Sequence, residues 1–223
     1  MGEVYSDEEY KSAIAVLGDF CFFAGMPDDE FIKYKPNSYD RNFVIMVPEN
    51  EEWSKLIEDC YSNRASKIER YAFKKDMNNF NIDSLKEAAL SLDSIYEIRS
   101  IDENIYNLCK KEEWSRDLVS NFKSFECYKK YGMGTVIIKN GDVVCGASSY
   151  SVYRGGIEIE IDTREDFRRK RLAYICGAKL IIECLKKGIF PSWDAHNTAS
   201  AKLAEKLGYC PDYKYTAYEI WDY

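Results

Sequence analysis

In one part of the chain, a strand pattern runs directly into a cationic turn and then into an apolar helix, and this order leaves few folds open to the chain. In GGIEIEIDT (155–163) isoleucines alternate with carboxylates, so one strand face packs on a core and the other carries the acids. Four consecutive cations follow at 168–171. From Leu172 onward apolar residues recur at helical spacing until Gly188, which suits the end of a helix. A strand that leads into a helix in this way indicates a mixed α/β fold.

The C-terminal part of the chain adds a hairpin and a second strand and helix. Asn140 and Gly141 lie between two β-rich runs, and both tolerate the positive φ of a tight hairpin turn. IFPSWDA (189–195) predicts a short strand, and NTASAKLAEKLG (197–208) predicts a helix that ends at its glycine. YKYTAYEIW (213–221) closes the chain as a strand.

The first half also mixes both kinds of element. Its most apolar segment, AIAVLGDFCFFAGM (13–26), begins with helical spacing and predicts a core helix that is too short to cross a bilayer. NFVIMV (42–47) predicts a strand. No low-complexity linker separates the halves, so we expect a mixed α/β N-terminal region at 1–130 and a C-terminal core at 131–223.

Charge and cysteine usage exclude several classes of function. The formal net charge is -7, whereas binding to nucleic acid requires a broad positive face, so we predict no nucleic-acid partner. The 8 cysteines form no C-x-x-C pair and there is 1 histidine, so we predict no metal site. Free thiols and the absence of a charged-then-apolar leader indicate a cytoplasmic protein with no membrane partner.

Four consecutive cations at 168–171 are unexpected in a chain with a net charge of -7, and their position suggests what they bind. They stand at a helix start, where unpaired backbone N–H groups and the positive end of the helix dipole favour an anion. The run consists of Arg168, Arg169, Lys170 and Arg171. It therefore predicts a phosphate-binding turn. The alternative is a solvated charge cluster, although cations at this end of a helix oppose its dipole.

These elements and residues together resemble the GNAT acetyltransferase superfamily, whose acetyl-CoA motif is R/Q-x-x-G-x-G/A at such a turn. Arg168 and Ala173 fit that motif, whereas Arg171 replaces its first glycine. With helical φ and ψ, Arg171 would still direct its N–H at an anion. WDAHNTASAKLAEKLGY (193–209) matches the second motif, which is a strand, an Asn, a helix and a terminal K-L-G-F/Y.

A narrower resemblance is to the zwittermicin-resistance-type branch of that superfamily. It is carried by IEIEIDT, RRKRLA, PSWDAHNTAS and LAEKLGY, preceded by FAGMP and EEWSRDLV. Together these segments cover most of the chain.

The resemblance implies a mixed, splayed central sheet flanked by helices, which opens a V at its middle strand. The pantetheine arm of acetyl-CoA would lie in that V, its pyrophosphate would rest on the N–H groups of 169–173, and a backbone N–H near 161–163 would face the acyl oxygen. Asn197 and Ser200 would contact the pantetheine or phosphate arm, or would only cap their helix. The implied cofactor contacts are Ile161, Thr163, Arg168, Arg169, Lys170, Arg171, Leu172, Ala173, Asn197 and Ser200.

Acetyl transfer to an amine needs a base, a donor for the oxyanion and an acid for the thiolate. Glu160 is the first choice as base, with Glu158 and Asp162 beside it, because carboxylates that repel one another in a partly dry cleft have raised pKa values. The same alternation also fits a wet strand face. His196 is a further candidate because its ordinary pKa suits proton transfer near neutral pH. The superfamily's usual Tyr acid is replaced by Ala204.

The sequence therefore predicts an acetyl-CoA-dependent N-acetyltransferase that acts on an amine of a small molecule or peptide. Residues 1–130 would form part of the acceptor pocket. A non-catalytic CoA-binding regulatory module is the alternative, because Arg171 and Ala204 depart from the family pattern. An RNA-binding role for the basic run is disfavoured, since no aromatic platform interleaves with those cations.

Overall fold

The apolar segment 13–26 forms a β-hairpin, so the core helix predicted from its spacing is wrong. In the computed structural model, which describes residues 1–223, β1 (Glu3–Ser6) pairs with β2 (Ser12–Leu17), and β2 turns back into β3 (Phe20–Gly25). Gly18 holds a φ of +58° at the turn. The glycine interrupts the run, and each half then has the length of a strand and not of a helix.

The remaining elements mix helices and strands along the chain. In order they are α1 (Asp29–Lys33), β4 (Phe43–Val47), α2 (Glu51–Tyr61), β5 (Ala65–Phe73), α3 (Ile82–Leu90), β6 (Glu97–Ser100), α4 (Glu103–Lys111), α5 (Phe125–Tyr131), β7 (Gly134–Lys139), β8 (Asp142–Tyr153), β9 (Gly156–Thr163), α6 (Leu172–Lys186), β10 (Phe190–Ser192), β11 (Asp194–Ala195), α7 (Thr198–Leu207) and β12 (Pro211–Trp221). The predicted α/β class is confirmed, and the strands form two mixed sheets. None of the helices combines the length and the apolar character that a membrane span requires.

One compact unit consists of residues 1–70 and 214–223. Its strands lie in the order β1-β2-β3-β4-β12-β5, and β3 runs parallel to β4. Trp53 of α2 is fully buried in the core of this unit, and its indole Nε1 donates a hydrogen bond to the Gly25 carbonyl at 2.9 Å. The core also contains Tyr218 and Ile220 from the last strand.

The other unit consists of residues 71–213. Its sheet has the order β10-β9-β8-β7-β6, in which only β9 and β10 are parallel. Ile137 faces a core that includes α3 and α6, whereas its neighbours Val136 and Ile138 face a core that includes α4 and α5. The sheet therefore lies between two helical layers. The predicted turn at Asn140 and Gly141 is confirmed, with φ values of +52° and +91°.

The division near residue 131 that the sequence suggested is not where these two units separate. Residues 71–130 group with the C-terminal residues up to 213. The physical reason is that β6 pairs with β7 from Glu97 to Ser100, and α3 packs against α6. The part that residues 1–130 play in the acceptor pocket stays a prediction.

Two helices of the second unit end at a glycine with positive φ, and the surroundings of these glycines differ. Gly208 follows α7 with a φ of +106°, and a Cβ there would lie 3.3 Å from the Asn79 carbonyl oxygen. Gly188, which lies after the C-cap of α6, has a φ of +64° and open space around it.

We expect Gly208→Ala to lower the free energy of unfolding by about 2 kcal/mol and Gly188→Ala by only about 1 kcal/mol. The left-handed backbone penalises both alanines, but only the first also meets a neighbouring backbone atom. Urea titration of the two variants beside the parent measures both changes. Equal losses of unfolding free energy in the two variants would contradict the conclusion that only position 208 is sterically crowded.

Candidate functional site

The second unit opens where β9 and β10 part. β10 is parallel to β9 only opposite residues 156–158. After Trp193 the chain continues as β11, which pairs with Tyr71 and Ala72 of β5 and not with β9. Residues 159–163 of β9 therefore keep one edge that no strand pairs. This is the V-shaped opening that the resemblance implied.

Backbone hydrogen bonds identify the amides that face this opening. The Arg164 N–H donates to the Val144 carbonyl at 3.0 Å, across to β8. Because successive residues of a strand direct their N–H groups to opposite edges, the amides of Ile161 and Thr163 face the opening. The Thr163 N–H donates to its neighbour's carboxylate, Asp162 Oδ1, at 2.6 Å. The Ile161 N–H is therefore the donor that β9 presents to a ligand.

The cationic turn that joins β9 to α6 contains two residues in the left-handed conformation. Arg169 has a φ of +60°, and Arg171, which immediately precedes α6, has a φ of +63° and a ψ of 8°. Arg171 therefore does not adopt the helical φ and ψ under which its N–H was expected to point at an anion. Left-handed backbone is adopted most readily by glycine, which gives the glycine of the motif a steric reason at this position.

Two of the turn's side chains brace the turn itself. Arg168 Nε donates to the Thr163 carbonyl at 3.1 Å, and its guanidinium lies 3.9 Å from Asp162 Oδ1. Lys170 Nζ donates to the Asp166 carbonyl at 2.8 Å. These contacts tie the turn to the end of β9.

A cleft of about 950 Å³ lies against this turn. Its walls come from the end of β9, the cationic turn, the start of α6 and one face of α7. All of the predicted cofactor contacts except Lys170 line it, namely Ile161, Thr163, Arg168, Arg169, Arg171, Leu172, Ala173, Asn197 and Ser200. The turn and the second motif, which are distant in sequence, therefore share one cleft.

Helix α7 contributes two cations that the sequence did not assign to the cofactor site, although Lys206 belongs to the second motif. Lys202 and Lys206 lie one helical turn apart, and both line the cleft. Together with three arginines of the turn they surround it with positive charge, and Asp162 is the one carboxylate in its lining. Their four-residue spacing in the second motif was the signal that could have revealed them.

Asn197 and Ser200 both make intramolecular hydrogen bonds at the start of α7. Asn197 Oδ1 caps the helix by accepting the Ser200 N–H at 2.9 Å. Ser200 Oγ accepts the Trp193 Nε1–H at 3.1 Å. These bonds use acceptor oxygens, so the Asn197 amide hydrogens and the Ser200 hydroxyl hydrogen remain donors along the cleft. Capping and ligand contact are compatible roles here.

The three carboxylates of β9 lie half-buried on one face, as their alternation predicted. Asp162 lines the cleft, whereas Glu158 and Glu160 do not. Glu160 is paired across the strands with Ser148, whose hydroxyl oxygen lies 2.7 Å from the Tyr128 hydroxyl. Burial raises the pKa of Tyr128, so this phenol keeps its proton at neutral pH. Tyr128 is a polar neighbour that sequence reasoning missed.

Burial is the main influence on Asp162 and raises the pKa of its carboxyl group. The Thr163 N–H and the Arg168 guanidinium act in the opposite direction, since both favour the charged form. Asp162 thus combines partial desolvation with two stabilising contacts, and it is held in place by its own turn.

The two remaining positions lie apart from the cleft lining. His196 is exposed in the bend before α7. Ala204 is fully buried and offers no hydroxyl group. No group of three or more His, Cys, Asp or Glu side chains is arranged to hold a metal ion.

Comparisons with known proteins give a consistent result. A family model described as GNAT acetyltransferase matches residues 1–218. The uncharacterized N-acetyltransferase YdfB of Bacillus subtilis is 28% identical over 234 residues, which cover 97% of this chain and 85% of that protein. A solved GCN5-related N-acetyltransferase-like protein from Streptococcus suis is 45% identical with a TM-score of 0.93, over 99% of this chain and 88% of that one. A GCN5-related N-acetyltransferase from Kribbella flavida shares the fold at a TM-score of 0.59 and 12% identity, over 100% and 89% of the two chains.

Because Arg171 has a left-handed backbone, we predict that glycine is tolerated better at position 171 than at position 170. We expect Arg171→Gly to keep or raise the free energy of unfolding, by up to about 1 kcal/mol, because glycine avoids the cost of positive φ. Lys170 has no positive φ, so Lys170→Gly is expected to lower that free energy by about 0.5 kcal/mol. Urea titrations rank the two variants, and the reverse order would refute the argument.

Proposed function

Because the chain belongs to the GNAT acetyltransferase family and is therefore an acyltransferase, we propose that it transfers an acetyl group from acetyl-CoA to an amine of a small molecule or peptide. The observation that carries this proposal is the cleft itself. It combines a helix start, an unpaired strand edge and a lining rich in cations. A ligand with phosphates at one end and an extended acyl arm at the other matches those three features.

The start of α6 fits the phosphate end of such a ligand. No side chain caps this helix, so the N–H groups of its first turn have no side-chain acceptor. The helix dipole adds partial positive charge at the same place. Residues 169–173 would hold the pyrophosphate, with the arginines of the turn supplying charge-assisted contacts.

The open edge of β9 fits the acyl arm. Its backbone groups would pair with the amides of a pantetheine arm much as an added strand would. Asn197 and Ser200 offer donors from the α7 side. When bound, acetyl-CoA supplies an activated thioester acyl group. The Ile161 N–H would donate to the acyl oxygen as negative charge develops there.

Glu160 is the proposed general base, and its carboxylate would take a proton from the acceptor ammonium so that the amine attacks in its neutral form. It is half-buried beside the Ser148 and Tyr128 hydroxyls, which makes its face polar and partly dry. Asp162, whose Oδ1 accepts the Thr163 N–H, is a second candidate on the same strand face. Glu158 and the exposed His196 are the other candidates.

Two further points concern the proton for the departing thiolate and the charge of the acceptor. Ala204 has no proton to give, so the departing thiolate takes a proton from another source or leaves unprotonated. A net charge of -7 and a carboxylate-bearing strand face favour a cationic acceptor. Polyamines, aminoacyl compounds and peptide N-termini all have that chemistry.

Calorimetry with CoA, followed by a panel of amines with acetyl-CoA, tests the proposal in two stages. We expect CoA to release or absorb heat on binding, and at least one amine to stimulate release of free thiol. No heat at millimolar CoA would overturn the proposal. Binding without thiol release from any amine would favour the non-catalytic CoA-binding module.

We expect Glu160→Gln to lower kcat by about 10²- to 10⁴-fold while the affinity for CoA stays unchanged, because loss of a general base affects the rate and not cofactor binding. The pH profile should also lose its acidic limb. Glu158→Gln and Asp162→Asn serve as matched controls on the same strand face. A larger kcat loss in either control would move the role to that residue.

A further inference from the structure

The cations that line the cleft are not all neutralised by the protein. Arg169, Lys202 and Lys206 make no ion pair and no side-chain hydrogen bond. The cleft lining contains five cations and one carboxylate, although the chain as a whole has 38 acidic and 31 basic residues. An acidic protein that leaves positive charge unpaired around one cleft has a ready site for an anionic ligand.

The two lysines also carry an electrostatic cost in the absence of a ligand. Lys202 and Lys206 are four residues apart on α7, and like charges at that spacing repel across the helix surface. Lys206 lies in the last turn, where the helix dipole favours a cation, but Lys202 lies a turn earlier and gains less. An anion between the two ammonium groups would relieve their repulsion.

The lysines stand on a different helix from the proposed pyrophosphate site. In the proposed function the start of α6 and the arginines of the turn hold the diphosphate, which leaves the lysines of α7 for a further anionic group. CoA carries one further phosphate, a monoester on the ribose 3′ oxygen, which is close to doubly charged at neutral pH. Two ammonium groups in the lining of the same cleft complement that charge.

We propose that Lys202 and Lys206 bind the 3′-phosphate of CoA and make the site select CoA over its 3′-dephosphorylated form. The inference rests on the proposed use of acetyl-CoA and adds a specificity to it. Charge-assisted hydrogen bonds of this kind change binding by about tenfold to a hundredfold. Because the lysines are exposed, the preference should weaken as ionic strength rises.

The test measures binding of CoA and of 3′-dephospho-CoA by calorimetry to the parent and to a Lys202→Gln, Lys206→Gln double variant. We expect the parent to prefer CoA by about tenfold or more, and the double variant to bind both ligands about as the parent binds dephospho-CoA. Lys187→Gln, an exposed lysine outside the cleft, is the matched control and should keep the preference. Lys206→Arg should keep it as well, because the charge remains.

The possible failures can be told apart. Equal binding of the two ligands by the parent would overturn the inference and leave the proposed function standing. A double variant that weakens both ligands by the same factor would also overturn it, since the lysines would then act only through their general field. Failure of the parent to bind either ligand would overturn the proposed function together with this inference. Melting temperatures close to the parent's establish that the variants are folded.

Discussion

Hydrogen bonding along β9 is the constraint on which the rest of the site depends. A strand inside a sheet has donors and acceptors on both edges, and buried ones need partners. Beyond Glu158 only the β8 edge is paired, because the chain leaves β9 at Trp193. The buried Trp193 side chain donates a hydrogen bond to Ser200, and this contact fixes the point at which the chain turns away from β9. The unpaired edge is thus a consequence of topology, and a ligand can complete it.

The cationic turn shows how the same place combines strain with charge. Two arginines adopt the left-handed backbone that glycine would take without cost, so the turn gives up some stability to hold these side chains there. Arg171 lies over the Tyr174 ring, 5.6 Å from its centroid, which keeps the guanidinium beside the cleft. The turn therefore complements an anion in charge at the same residues whose backbone conformation is unfavourable.

Local sequence patterns predicted the elements that surround the site. They did not predict contacts between segments that are distant in sequence. The hairpin at Asn140, the strand of alternating carboxylates and the cap at Asn197 each depend on a few adjacent residues, so they are readable from sequence. The apolar spacing of residues 13–26 fits the period of a helix as well as that of a strand. Only the pairing of β2 with β3 decides between the two, so the sequence alone predicts the wrong element. The four-residue spacing of Lys202 and Lys206 puts both on one face of α7, but that this face lines the cleft is seen only in the folded structure.

The division of the chain has a consequence for the order in which the molecule is made. Residues 71–213 form one unit as a continuous stretch, whereas the other unit needs both residues 1–70 and residues 214–223. Its core contains Tyr218 and Ile220, which are synthesised after the whole of residues 71–213. The unit of residues 71–213 can therefore fold during synthesis before the other unit, whose core stays incomplete until residues 214–223 have been made.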